Sequence, residues 1–249
     1  MFENKSIIVT GAASGIGRAC AVQLLKNGNR VVASDLNASD LEKALGAQTD
    51  HLKFLAGDVS KTAIAEAAAE LAQESFGRVD GLAHFAAIHS KIDWMETDEE
   101  EFNHVLAVNL TGSFLVAKAA AKAMIAHDVK GSIVLTASGS TLIGSSGGQG
   151  TGGPAYVSSK GGVLVLIRSM ARALGPHGIR INSISPGVVE TAMTAEYTAE
   201  AMSIAAERAV LSRISTPEEQ ADAAIWLLSD SSAFVTGETI NTNGGLAFG

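Results

Sequence analysis

The chain has 249 residues, of which 47% are apolar and 18% charged, and its formal net charge is −8. That is apolar material enough for one large α/β domain, and it excludes a disordered chain. The acidity argues against nucleic acid and anionic membrane as general partners. The single cysteine, Cys20, excludes an internal disulfide and a cysteine-rich metal site.

The first apolar run, "SIIVT" at 6–10, reads as a strand, with no basic region or cleavage site ahead of it. A glycine-rich turn, "GAASGIG", leads into a helix over 16–26, where Cys20 sits in "RACAVQLL" as an inert core thiol. Strands follow at 30–35, closing on Asp35, and at 52–58, ahead of a helix over 63–76. A strand at 81–86 is followed by "HSKIDWM" (89–95) and an Ala/Leu-rich helix over 99–127. Lys118 and Lys122 break that helix's apolar run short of membrane-spanning length, so the chain reads as a cytoplasmic protein with no membrane partner. The strand at 131–138 runs into 139–153, where seven of fifteen residues are glycine; this segment has little propensity for helix or strand. A helix over 156–175, a strand at 180–186, a helix over 217–228 and a strand at 238–243 complete the pattern. Continuous apolar strands alternating with helices predict a single-domain, doubly wound α/β fold of Rossmann type with a mostly parallel seven-stranded sheet. No linker or shift of composition divides residues 1–249.

Two local patterns carry chemistry. Gly11, Gly15 and Gly17 form G-x-x-x-G-x-G between a strand and a helix, where a backbone can approach a pyrophosphate at a helix N-terminus. Asp35 closes the next strand, where an acid is expected to hold an adenosine ribose. Tyr156 and Lys160 stand four apart and share one helix face. In isolation that pair reads as an aromatic packed under a surface lysine. Beside a cofactor turn it reads as a tuned acid/base, because a nearby ammonium and the positive nicotinamide of an oxidised cofactor both favour a phenolate whose free pKa is about 10.

With "TGAASGIG", "GDVS", "VNLTG", "YVSSK" and "SPGVVET" in this order, essentially the whole chain resembles the short-chain dehydrogenase/reductase family. The resemblance implies a catalytic set of Asn109, Ser138, Tyr156 and Lys160. Ser138 orients the substrate oxygen, with Ser140 the alternative hydroxyl, and Asn109 helps hold a water in a proton relay. It implies NAD as cofactor, held by Gly11, Ser14, Gly15, Ile16 and Gly17, by Asp35 and Leu36, by Asp58 and Val59 and by Ala86 and Ala87. Tyr156, Lys160, Pro186, Gly187, Val189 and Thr191 complete that set. Asp35, and the absence of a compensating base nearby, favour NAD over NADP; Arg18 is expected to face the pyrophosphate or solvent. His84-Phe85-Ala86-Ala87 replaces the family's usual Asn-Asn-Ala-Gly; His84 reads as a core histidine, and Ala87 brings a methyl beside the cofactor ribose.

Residues about 190–213 are expected to form a substrate lid, the segments 89–95 and 193–202 to shape the substrate site, and the loop at 144–153 to border the substrate mouth. Ser140, Gln149, Trp94, Met193 and Tyr197, together with Met202, are candidate substrate contacts; the apolar ones serve equally as ordinary helix packing. The function implied is interconversion of a secondary alcohol and a ketone by hydride transfer to NAD. The alternatives are an NADP-dependent 3-oxoacyl-thioester reductase and, from another class, a non-catalytic cofactor-binding scaffold. The resemblance also implies a homotetramer, a small-molecule substrate and no metal.

Overall fold

The computed structural model describes residues 2–147, 152–195 and 197–248. Among these, strand and helix alternate as β1 (Ser6–Thr10), α1 (Gly15–Lys26), β2 (Arg30–Asp35), α2 (Ala38–Leu45), β3 (Leu52–Ala56), α3 (Thr62–Phe76), β4 (Gly81–His84), α4 (Glu99–Leu106) and α5 (Gly112–Ala126). They continue as β5 (Ser132–Thr136), α6 (Ser140–Ile143), α7 (Pro154–Leu174), β6 (Arg180–Pro186), α8 (Ala199–Arg208), α9 (Pro217–Leu228) and β7 (Thr239–Thr242). The described strands form one sheet in the order β3-β2-β1-β4-β5-β6-β7. Every pairing is parallel, so the expected mostly parallel sheet has no antiparallel member among the described residues.

A parallel sheet needs cover on both faces, and the sequence supplies it from small residues. On one face Ala68 and Ala72 of α3, Ala117 and Ala120 of α5 and Val163 and Ile167 of α7 pack over Ile8, Leu82 and Ile133. On the other, Cys20 and Leu24 of α1 and Ala224 and Leu227 of α9 pack over Ile7, Val31 and Val134. Cys20 is buried, and burial pushes its thiol pKa well up, as an inert core position requires.

Helices α4 and α5 are joined by a π-helical turn, Ala107–Thr111, into one helix, Glu99–Ala126, of 28 residues. By length and composition alone this helix is apolar enough to cross a membrane, so Lys118 and Lys122 do not interrupt it as expected. Half of its apolar window is buried within the protein, and α5 packs on α3. The chain order of the strands reverses between β1 and β4, and in such sheets the crevice beyond the strand ends at that reversal is where ligands bind.

Candidate active site

A cleft of about 780 Å³ opens at that crevice. Its floor on the β1 side is the glycine turn. Gly11 adopts φ +67°, and a methyl there would lie 2.8 Å from the Ala86 nitrogen; a methyl on Gly17 would overlap the Gly11 carbonyl oxygen. Only glycine lets the start of α1 sit this close to the strand ends, and the cradle it leaves, above a helix N-terminus, suits a pyrophosphate. Ser14, Gly15 and Ile16 line it with Gly11 and Gly17.

At the far edge of the cradle Asp35 is fixed by two backbone donors, Ala13 N at 2.9 Å and Leu36 N at 2.8 Å. Arg18 points elsewhere: it is exposed, and its Nε donates to the Ala44 carbonyl at 3.1 Å. Burial works against the Asp58 carboxylate. Hydrogen bonds from the Ser60 hydroxyl (2.7 Å) and amide (2.9 Å), with Lys61 and His104 nearby, carry its pKa below the ordinary value. Leu36, Asp58, Val59, Ala86, Ala87, Pro186, Gly187, Val189 and Thr191 all line the same cleft, so the structure gathers every residue expected around a dinucleotide. Thr191 begins the short turn Ala192–Thr194, its carbonyl accepting from the Thr194 amide and its amide donating to the Thr194 hydroxyl, each at 3.1 Å.

His84 is 2% exposed at the end of β4, and its Nδ1 lies 2.7 Å from Thr10 Oγ1. Burial, with Lys160 nearby, pushes its pKa down to about 3, so it is a neutral core histidine; its Nε2 is enclosed without a partner.

The expected catalytic set converges from β5, α7 and the π-helical turn. Lys160 is 3% exposed and donates from Nζ to the Thr136 carbonyl at 2.9 Å. Burial draws its pKa down to about 8. Nζ lies 5.8 Å from the centre of the Tyr156 ring. Burial pushes the Tyr156 phenol up to about 12, opposed by a hydrogen bond with the Ser138 side chain. Burial outweighs that bond, so the phenol stands above its ordinary value in this state.

Ser138 accepts from Ser140 Oγ at 2.9 Å and Ser140 N at 3.2 Å, so the two alternative hydroxyls form one pair with Ser138 bonded to the phenol. Asn109 is fully buried and does not line the cleft. Its amide exchanges two 2.9 Å hydrogen bonds with the Ile88 backbone and donates to Ser159 Oγ at 3.1 Å. The side chain thus pins the segment after β4 to α7, and the π-helical turn aims it there.

The substrate side departs further from expectation. Met193, Tyr197 and Ser140 line the cleft, but Trp94 does not: it is 68% exposed, because the turn at 93–96 carries it outward. Met202 also lies outside the lining, to which α8 contributes Ala201, Ile204 and Ala205. Gln149 lies outside the described residues; Gly144, Ser145, Ser146 and Gly152 of its loop do line the cleft. The loop docks on the segment after β4 through Gly153 N to Ser90 O, 2.7 Å. The segment 89–95 was expected at the substrate site, but His89 was not singled out within it, nor were Ile143 and the residues of α8 that line the cleft. Nothing local in the sequence marks His89, which meets Tyr156 only through tertiary packing.

A family model described as enoyl-(acyl carrier protein) reductase matches residues 11–247. A human (3R)-3-hydroxyacyl-CoA dehydrogenase is 35% identical over 96% of this chain and 94% of its own length. A 2,5-dichloro-2,5-cyclohexadiene-1,4-diol dehydrogenase from Sphingobium indicum is 36% identical over 98% of this chain and 97% of its own. A solved short-chain dehydrogenase/reductase of the glucose/ribitol dehydrogenase type, from Brucella melitensis, superposes with a TM-score of 0.91 at 31% identity. It covers 100% of this chain and 98% of that one.

Proposed function

The chain belongs to the short-chain dehydrogenase/reductase family, an oxidoreductase acting on CH–OH groups with a nicotinamide cofactor, and on that premise we propose that it is NAD-dependent and interconverts a secondary alcohol and a ketone. The observation that carries the reading is the convergence of Ser138, Tyr156 and Lys160 at one end of a glycine-floored cleft whose other end is Asp35. The cofactor fits this chain: methyls at Gly11 and Gly17 would meet protein backbone, so glycine there lets the start of α1 close onto the strand ends, and Gly11, Gly15 and Gly17 with that helix start would hold its pyrophosphate. When bound, the nicotinamide accepts or supplies the hydride.

The remaining work falls to the protein. Tyr156 takes the proton of the alcohol or returns one to the ketone, from a hydroxyl already oriented by Ser138. A phenol at about 12 is poised as an acid in this state. Acting as a base requires more positive charge nearby than Lys160 alone provides. Lys160 would also hold the ribose next to the nicotinamide, with its buried stem fixed through the Thr136 carbonyl.

Asp35 supports NAD over NADP. Its carboxylate is held in place by Ala13 and Leu36, and Arg18, the nearest candidate to neutralise a 2′-phosphate, is turned to Ala44. We expect a preference of ~100-fold, the equivalent of about 2.7 kcal/mol. Asp35→Ala narrows it to less than tenfold; equal kcat/KM for both cofactors in the unmutated protein would remove this part of the reading. The test of the whole reading is reduction of NAD or NADP by a panel of secondary alcohols.

A thioester reductase is the second reading, and the hydroxyacyl-CoA dehydrogenase relative favours it. A homotetramer is part of the proposal. Phe114 on α5 and Val165 on α7 are exposed apolar residues on helix faces that association would cover, and light scattering at micromolar concentration tests it.

A further inference from the structure

The chamber in front of Tyr156 has a polar wall that the proton transfer does not use. His89 stands in it. Its ring meets the Tyr156 ring edge to face, with centroids 4.6 Å apart and planes at 70°, and the Tyr197 ring lies 6.3 Å away. Burial, reinforced by Lys91 and Lys160, draws its pKa down to about 4, so the imidazole is neutral at pH 7, with one N–H donor and one acceptor nitrogen.

No group among the described residues hydrogen-bonds this ring, and Nδ1 is fully enclosed without a partner. Ser145, on the loop across the chamber, also has an enclosed hydroxyl with no partner. An enclosed polar atom left unpaired costs about 1–3 kcal/mol. Nine enclosed side-chain atoms among the described residues have no partner, and only these two belong to residues lining the cleft, which marks them as places for polar groups of a ligand.

The position of His89 limits which ligand atom that is. The reacting oxygen has to lie within hydrogen-bond distance of the Tyr156 hydroxyl, about 2.7 Å. His89 packs directly on the ring that carries this hydroxyl, so an atom reaching its nitrogens is close to the reacting centre and not at the end of a long chain. A neutral imidazole can donate to a carbonyl or accept from a hydroxyl, so it serves both the alcohol and the ketone form. Ile143, Met193 and Ile204 leave an apolar surface for the rest of the molecule.

We propose that His89 is a specificity residue that hydrogen-bonds a second substrate oxygen on the carbon next to the reacting one. The chamber then takes a vicinal diol, and in reverse an α-hydroxy ketone, in preference to an isolated secondary alcohol. This rests on the reading of Tyr156 as the acid/base of an alcohol dehydrogenase.

The test compares NAD reduction by each stereoisomer of butane-2,3-diol with NAD reduction by butan-2-ol, in the full-length protein and in two variants. In the unmutated protein, kcat/KM for the best diol exceeds that for butan-2-ol at least ~10-fold, about what one hydrogen bond of ordinary net strength contributes. His89→Phe keeps a flat ring against Tyr156 and removes only the nitrogens. It lowers kcat/KM for the diol by more than ~10-fold and for butan-2-ol by less than ~3-fold, abolishing the preference. His89→Gln, which keeps a donor and an acceptor, retains part of it. Turnover of both alcohols without preference in the unmutated protein overturns the proposal and leaves the dehydrogenase reading standing. An equal loss on both substrates in either variant also overturns it, showing His89 to be packing only. No turnover of either alcohol, with NAD or NADP, overturns the dehydrogenase reading and this proposal with it.

Discussion

The two ends of the cleft are built from different material. The cofactor end is backbone: the glycine turn, the start of α1 and the ends of β1, β2 and β4, with Asp35 clamped by two amides. The substrate end is side chains carried on three separate segments: the stretch after β4, the loop around α6 and the lid with α8. Backbone recognition fails when an atom is added, because nothing can move aside. Side-chain recognition is tuned when an atom is exchanged. Substitutions at the first end should therefore act on binding and stability together, and substitutions at the second on substrate choice alone.

Tyr156 lies where the two ends meet, and its loss is the largest effect expected. Tyr156→Phe lowers kcat/KM by roughly 10³-fold, about 4 kcal/mol of transition-state stabilisation, while the dissociation constant for NAD changes less than threefold. Steady-state rates beside fluorescence titration of the cofactor separate the two quantities. Retention of more than a tenth of the activity would remove Tyr156 from the chemistry.

Gly17→Ala sharpens the comparison from the cofactor end. The added methyl overlaps the Gly11 carbonyl oxygen, and backbone lies on both sides of the conflict. The expected loss is ~3 kcal/mol of stability, a fall in Tm of roughly 6–12 °C, together with at least tenfold weaker NAD binding. Thermal unfolding and titration read both. A variant with unchanged Tm and affinity would mean the turn is looser than the contacts show.

His84 offers a pH test at the boundary of the two ends. In the native state its pKa is about 3, against an ordinary 6.5. Between those values the unfolded chain binds a proton that the native protein refuses, so stability falls as pH drops below about 6, by ~1.4 kcal/mol per pH unit. Asparagine at this position does not titrate and can still bond Thr10. Denaturant unfolding at pH 7 and pH 5 should show the native protein losing about 2 kcal/mol more than His84→Asn over that interval. Parallel losses would show that His84 accepts its proton without unfolding.

The same contrast explains what was legible in the sequence. β1, β2 and β6 match the apolar runs at 6–10, 30–35 and 180–186, because a strand buried on both faces leaves an unbroken apolar signature. The glycine turn and Asp35 were legible because their spacing along the chain is the geometry. So was the Tyr156–Lys160 pair, four apart on α7. α8 was read only as part of a lid, and no residue of it is buried, since it covers an open cleft and lacks the core-facing stripe that reveals a helix. In the glycine-rich segment, Ser140–Ile143 form a turn of helix where none was expected, supported by the Ser138–Ser140 pair and not by propensity. His89 was not legible as a contact of Tyr156, since 67 residues separate them and it is the Asn109 clamp on Ile88, with the Gly153 N to Ser90 O bond, that brings that segment to α7.

Trp94 gives the smallest expected effect and the strictest check on the substrate end. As a large aromatic close after β4 it is a candidate pocket residue from sequence, and a buried indole at a binding site would cost several kcal/mol to remove. The structure instead leaves it 68% exposed, on a turn held by Asp93, whose side chain accepts from Met95 N at 2.8 Å and Glu96 N at 3.2 Å. With so little area buried, Trp94→Ala should change kcat/KM less than twofold for every alcohol that the enzyme oxidises, and stability by no more than about 0.5 kcal/mol. His89, five residues earlier in the same segment, should reorder the substrate preference. If Trp94→Ala changed that preference as His89→Phe does, the turn would have to fold inward over the bound substrate, and the segment would act as a second lid rather than a fixed wall.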